Sequence, residues 1–126
     1  MTAQNTQLGA LQFEAGAGWY TVGLPAGNTG LYFAETARDG LVANAGGGQA
    51  NATLIATMFA RVTTVASQND SIKLPPAMPG ADLMVLNAGA NAMAVFGSGT
   101  DQIDGAGAGV SVSQMANSVV LYSCYS

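Results

Sequence analysis

The chain contains no histidine. That removes the side chain most often used for acid–base catalysis and metal ligation near neutral pH. A single cysteine, Cys124, excludes an internal disulfide and any multi-cysteine metal cluster. Charge is scarce too: charged residues are 8% of the total, against about 25% in an ordinary soluble domain. The only cations, Arg38, Arg61 and Lys73, are scattered singly, and the net charge is −4. No basic patch is therefore available to release counterions from phosphates, which excludes nucleic acid as a partner. The apolar stretches are far shorter than the ~20 residues a spanning helix requires. Met1 to Tyr20 has neither the positive start nor the continuous apolar core of a signal peptide. The expectation is a chain made in the cytoplasm, with no membrane partner.

What is present is apolar and small. Hydrophobic residues make up 49% and glycine contributes 17 positions. A chain of 126 residues is one domain's worth with room for an arm, and at that size about two thirds of the unfolded surface can be buried. A freestanding small domain covers about a quarter to a third of its surface with Lys, Arg, Glu and Asp. This chain has Lys+Arg 3 and Asp+Glu 7. The composition therefore implies outer faces covered by copies of itself or by neighbouring proteins, with Ser, Thr, Asn and Gln wetting the rest.

The chain divides near residue 48. Met1 to Gly48 is a Gly/Ala-rich segment carrying short apolar clusters: Leu8, Leu11 and Phe13, then Trp19, Tyr20, Val22 and Leu24, then Leu31 to Phe33, then Leu41 and Val42. Dense glycine disfavours long helices and strands, while aromatics argue against plain disorder. An extended arm with short strands satisfies both, and Gly46-Gly47-Gly48 reads as a hinge. Leu8, Leu11, Phe13, Trp19 and Tyr20 are the candidate interface anchors, since aromatics are enriched at hot spots. A satellite core cluster within one subunit is the equal alternative for Trp19 and Tyr20.

Residues 49–126 form the second unit. Leu54, Ile55, Met58 and Phe59 follow the spacing of one face of a short helix over Gln49 to Arg61, with Asn51 as N-cap. A strand over Thr53 to Phe59 competes, because its Thr and Ile residues suit β structure. From Arg61 onward the pattern is β: 61–66, 71–74, 82–87, 92–96, 110–112 and 118–123, separated by Gly, Pro and Asn turns. Such spacing predicts a β-sandwich or small β-barrel, jelly-roll-like, with at most one short helix. Inward Val, Ile, Leu and Met are expected to alternate with outward Thr, Ser and Asn.

Motifs for chemistry are weak. Gly105-Ala-Gly107-Ala-Gly109 lacks both the spacing of a dinucleotide fingerprint and the lysine of a phosphate loop, so it reads as a turn. Asp101 and Asp104 flank apolar Ile103 and fall short of the 6–8 oxygens calcium takes. Cys124 has no histidine to deprotonate it and sits in an apolar run, where core packing is expected. Glu14 and Glu35 lack a rigid scaffold for a glycosidase pair. Asn51-Ala-Thr53 and Asn69-Asp-Ser71 match the glycosylation triplet, which carries no weight without a secretory signal. No cofactor or metal is expected, and the chain does not read as an enzyme.

The order Val62-Thr-Thr-Val-Ala66, Asp70-Ser-Ile-Lys-Leu-Pro-Pro76, Pro79-Gly80, the run from Val85 to Gly105 and the final strand to Cys124 carries a resemblance. It resembles a β module of tailed-bacteriophage virion structural proteins, found in head decoration (cement) proteins and in fibre-associated proteins. Asn87-Ala-Gly-Ala-Asn91 and the loop from Gly97 to Gly105 are its most specific parts. The resemblance implies a homotrimer on the capsid surface that binds the major capsid protein and stabilises the shell. The alternative it implies is a tail-fibre or receptor-binding module. It implies no catalytic residues.

Overall fold

The computed structural model describes residues 36–126. Two four-stranded sheets pack face to face, and the chain alternates between them. β1 (Ala37–Val42), β3 (Phe59–Thr64), β5 (Asp82–Asn87) and β8 (Ser118–Ser123) make the first sheet, in the order β1-β3-β5-β8. β2 (Thr53–Leu54), β4 (Ser71–Lys73), β6 (Met93–Phe96) and β7 (Val112–Gln114) make the second, in the order β2-β4-β6-β7. The sandwich is open at its edges and closes into no barrel.

Pairing follows from the alternation. Each visit to a sheet returns in the same direction, so β1, β3 and β5 pair in parallel, as do β2, β4 and β6. A parallel pair needs a crossover, and here the strand in the opposite sheet supplies it. Only the last two strands reverse: β7 runs antiparallel to β6, and β8 antiparallel to β5. Jelly-roll strands pair antiparallel throughout, so that comparison fails at the level of pairing. The two-sheet sandwich itself is what the strand spacing predicted.

One core joins the sheets. Val62 and Val85 from the first sheet meet Ile72, Met93 and Val95 from the second, with Ile55, Val65 and Ile103 from the connections. Parallel strands covered on both sides read as continuous apolar runs, and β6 (Met93–Phe96) is buried at every position. Two glycines let the backbone close over this core. A Cβ on Gly89 would stand 2.6 Å from the Val65 amide nitrogen, and one on Gly97 would run into the Asp101 carbonyl.

No helix occurs among the described residues. Where a short helix was the first expectation, β2 and the start of β3 lie instead, joined by residues 55–58. The cause is tertiary. Ile55 donates its amide to the Lys73 carbonyl at 2.8 Å and is fully buried, while neighbouring Leu54 is half exposed. The apparent helical face is thus split between core and surface, and β-branched Thr53 and Ile55 suit the ladder better. Residues 37–48, read from sequence with the arm, contribute β1 and a bridge between Asn44 and Ser71. Gly46, Gly47 and Gly48 all hold positive φ, as a tight turn requires.

Candidate functional site

The outer face of the first sheet is the candidate site. Alternation along β5 turns Val85 and Asn87 inward and Met84 and Leu86 outward. Along β8 it turns Val119 and Leu121 outward, 56% and 57% exposed. Register then aligns them. Phe59 lies beside Met84 and Met84 beside Leu121; Arg61 lies beside Leu86 and Leu86 beside Val119. Residues directly opposite in a sheet are about 5 Å apart at Cβ, so five apolar side chains form one continuous patch. The expected outward Thr, Ser and Asn are absent from β5 and β8, apart from Ser123 at the strand end. The neutral polar pattern holds better on β3, where Thr63 and Thr64 are exposed.

Charge on this face borders the apolar patch, with Arg61 beside Leu86. Arg61 donates Nε and Nη2 to the two carboxylate oxygens of Asp39 at 2.7 Å each. Hydrogen bonds from the Arg61 guanidinium hold the Asp39 carboxyl below its ordinary range. The two charges cancel locally, and such an exposed pair adds little to stability. Asp82 stands at the opposite end of β5, beside Ser123.

A polar network beneath the patch fixes the strands that carry it. Asn87 is fully buried and donates Nδ2 to the carbonyls of Asn91 at 3.0 Å and Gln114 at 3.1 Å. Its Oδ1 accepts the Gly89 amide at 2.9 Å. Gln114 donates Nε2 to Val85 and Ser118 carbonyls, and its Oε1 accepts the Tyr122 hydroxyl at 3.0 Å. Every side-chain donor and acceptor of these two amides that burial cuts off from water is thereby used. Burial, with the negative charge of Asp104 second, pushes the Tyr122 phenol up to about 12.

At one end, where β8 runs past β7, the sheets part into a groove of about 540 Å³. Leu74, Pro76, Leu83, Ile103, Tyr122 and Tyr125 line it, and Tyr125 is 90% exposed. Asp101 is committed to structure here, accepting the Ala77 amide at 2.8 Å. Cys124 lies just beyond β8, half-buried, its thiol donating to the Ser126 carbonyl at 3.4 Å. It is absent from the core cluster, which corrects the expectation of core packing: the core ends where the sheets separate. No group of three or more Cys, Asp or Glu positioned to hold a metal occurs among the described residues.

The sequence-predicted anchors Leu8, Leu11, Phe13, Trp19 and Tyr20 lie outside the described residues, as do Glu14 and Glu35. The apolar patch was not anticipated, although a signal existed. Ser118-Val-Val-Leu-Tyr-Ser123 and Asp82-Leu-Met-Val-Leu-Asn87 are apolar at both odd and even positions, which marks two apolar faces. Comparison with protein-family models, curated protein sequences and solved structures finds no match.

Proposed function

We propose that this chain is a non-catalytic structural protein of a tailed-phage virion, one that decorates the head and reinforces the shell of major capsid protein. The observation that carries the reading is the apolar patch of Phe59, Met84, Leu86, Val119 and Leu121 on a chain with 8% charged residues. Contiguous apolar surface of this kind marks interaction sites, and so little charge leaves the protein dependent on partners for cover. Adhesion is mechanical: apolar side chains on the outer face of the first, mixed sheet press against a neighbouring subunit, and the buried amide network keeps that sheet from yielding.

Sedimentation with purified heads lacking their decoration tests this. The intact protein should pellet with the heads. A double variant, Met84→Lys with Leu121→Lys, should bind at least about tenfold more weakly, because binding would desolvate two unpaired charges. A wild-type protein that stays in the supernatant overturns the reading.

The groove favours a second reading, a receptor-binding module of the tail. Its exposed Tyr125 and half-buried Tyr122 offer aromatic surface with polar tips, suited to small amphipathic ligands such as sugars. Negative-stain imaging of virions with labelled protein separates the two, with label over the shell for decoration and at the tail for reception.

A further inference from the structure

We propose that β8 is a self-pairing edge, by which two copies of this chain join their first sheets into one continuous sheet around a two-fold axis at Val120. The inference deepens the assembly reading and rests on it. Four observations support it.

First, the edge is unprotected among the described residues. β8 borders the first sheet, six residues long, and its sequence Ser118-Val-Val-Leu-Tyr-Ser123 holds no charge and no proline. Soluble proteins blunt such edges with lysine, proline or a bulge to prevent pairing with other chains. β8 pairs with β5 in unbroken register from Asp82–Ser123 to Asn87–Ser118, so no bulge turns the edge away.

Second, the free hydrogen-bonding groups can be assigned. The Met84 and Ala88 amides donate to Met58 and Val62 carbonyls on the β3 side. Odd-numbered residues of β5 therefore address β8, and their partners there are the even-numbered ones, Tyr122, Val120 and Ser118. The Cys124 amide agrees, donating to Ala81. Val119 and Leu121 are left with amides and carbonyls directed away from β5, without backbone partners among the described residues.

Third, these groups are complementary to themselves. A two-fold axis at Val120 sets Val119 of one copy opposite Leu121 of the other, so that two odd-numbered residues exchange both of their backbone hydrogen bonds, and symmetry repeats the exchange. Paired residues also fall on the same face, as a sheet demands. Val119 meets Leu121 outside, and inside Val120 meets Val120 while Ser118 meets Tyr122. An axis at Leu121 would set Val119 against Ser123, a poorer apolar match.

Fourth, the ladder has a natural stop. Asn117 holds φ 57, a left-handed conformation that ends the strand. The occupant is therefore a second copy: the edge is short, neutral and palindromic in character, and an isologous contact requires that one patch fit itself. The paired sheets would double the apolar face offered to the shell.

The test uses the full chain carrying Cys124→Ser. Opposed residues in a non-hydrogen-bonded antiparallel pair have Cα atoms about 4.5 Å apart, within disulfide range, whereas diagonal neighbours at about 7–8 Å are not. Val120→Cys should give a covalent dimer as the main product under oxidised glutathione, and Leu121→Cys should not. The mass of the untreated protein in solution should be an even multiple of the monomer, and Leu121→Lys should lower it. An oligomer of any size without the cross-link at 120, or one linked through 121 instead, overturns the pairing and leaves the assembly reading standing. A trimer without that link is one such result. A monomer at every concentration, indifferent to heads, overturns both.

Discussion

At the scale of single residues, the side chains that matter most are the buried polar ones. Asn87 and Gln114 are buried, and each would cost about 1–3 kcal/mol per group left unpaired. Their partners are all accounted for, so they specify the register of β5, β7 and β8 rather than weaken the core. Tyr122 completes the network through its hydroxyl and is the group whose titration should be visible. Its phenol is pushed from 10.0 up to about 12 by burial, so the folded state holds the proton more tightly than the unfolded chain. That contribution to stability is complete below pH 10 and is lost as pH rises from about 10 to about 12. Denaturant melts at pH 9, 10, 11 and 12 should show wild type losing its margin over Tyr122→Phe through that window. A constant difference would dissociate Tyr122 from the alkaline transition.

At the scale of elements, the connections hold the circuits in place. Asp70 is 2% exposed, and its carboxylate accepts the Ser67 amide at 2.9 Å and the Gly46 amide at 3.3 Å. One side chain thus closes the β3–β4 turn and ties it to the β1–β2 connection. Asp70→Ala is expected to destabilise by roughly 1–3 kcal/mol, two part-buried hydrogen bonds to a charged acceptor being lost at once, and to speed amide exchange at both Gly46 and Ser67. Exchange confined to Ser67 would show that the two connections are not linked. β5 and β8 were legible in sequence to their end residues, because six-residue runs rich in Val and Leu and bounded by turn formers have the length of strands rather than helices. The segment from Gln49 to Arg61 was not. Its spacing fits a helical face, and only the ladder to β4, which receives Ile55 through Lys73, decides for β.

At the scale of the whole molecule, the scarcity of charge and the apolar sheet face describe the same property from two directions. Among the described residues, Asp39 and Arg61 form a locally neutral pair and Asp70, Asp101 and Asp104 lie in connections between strands, and the patch itself is left to Met, Leu, Val and Phe. Deleting Met1 to Leu24 should leave residues 36–126 folded, since among the described residues one core runs from Leu41 and Ala43 to Tyr122. Thermal melts should show one cooperative transition. The same truncated protein is expected to lose its hold on heads, and binding that survives would assign adhesion to the sheet face alone.

Composition and strand patterning by themselves determined a β protein without histidine chemistry, with apolar strands and very little charge. These are local properties: which residue types recur, at what period, and where Gly and Pro interrupt them. Tertiary structure alone decided that the strands pair in parallel by alternating between sheets, that Cys124 falls outside the core, and that Met84, Leu86, Val119 and Leu121 share one exposed face. Those outcomes depend on which strand lies beside which, and a residue's neighbours across a sheet are set by contacts between segments far apart in the chain.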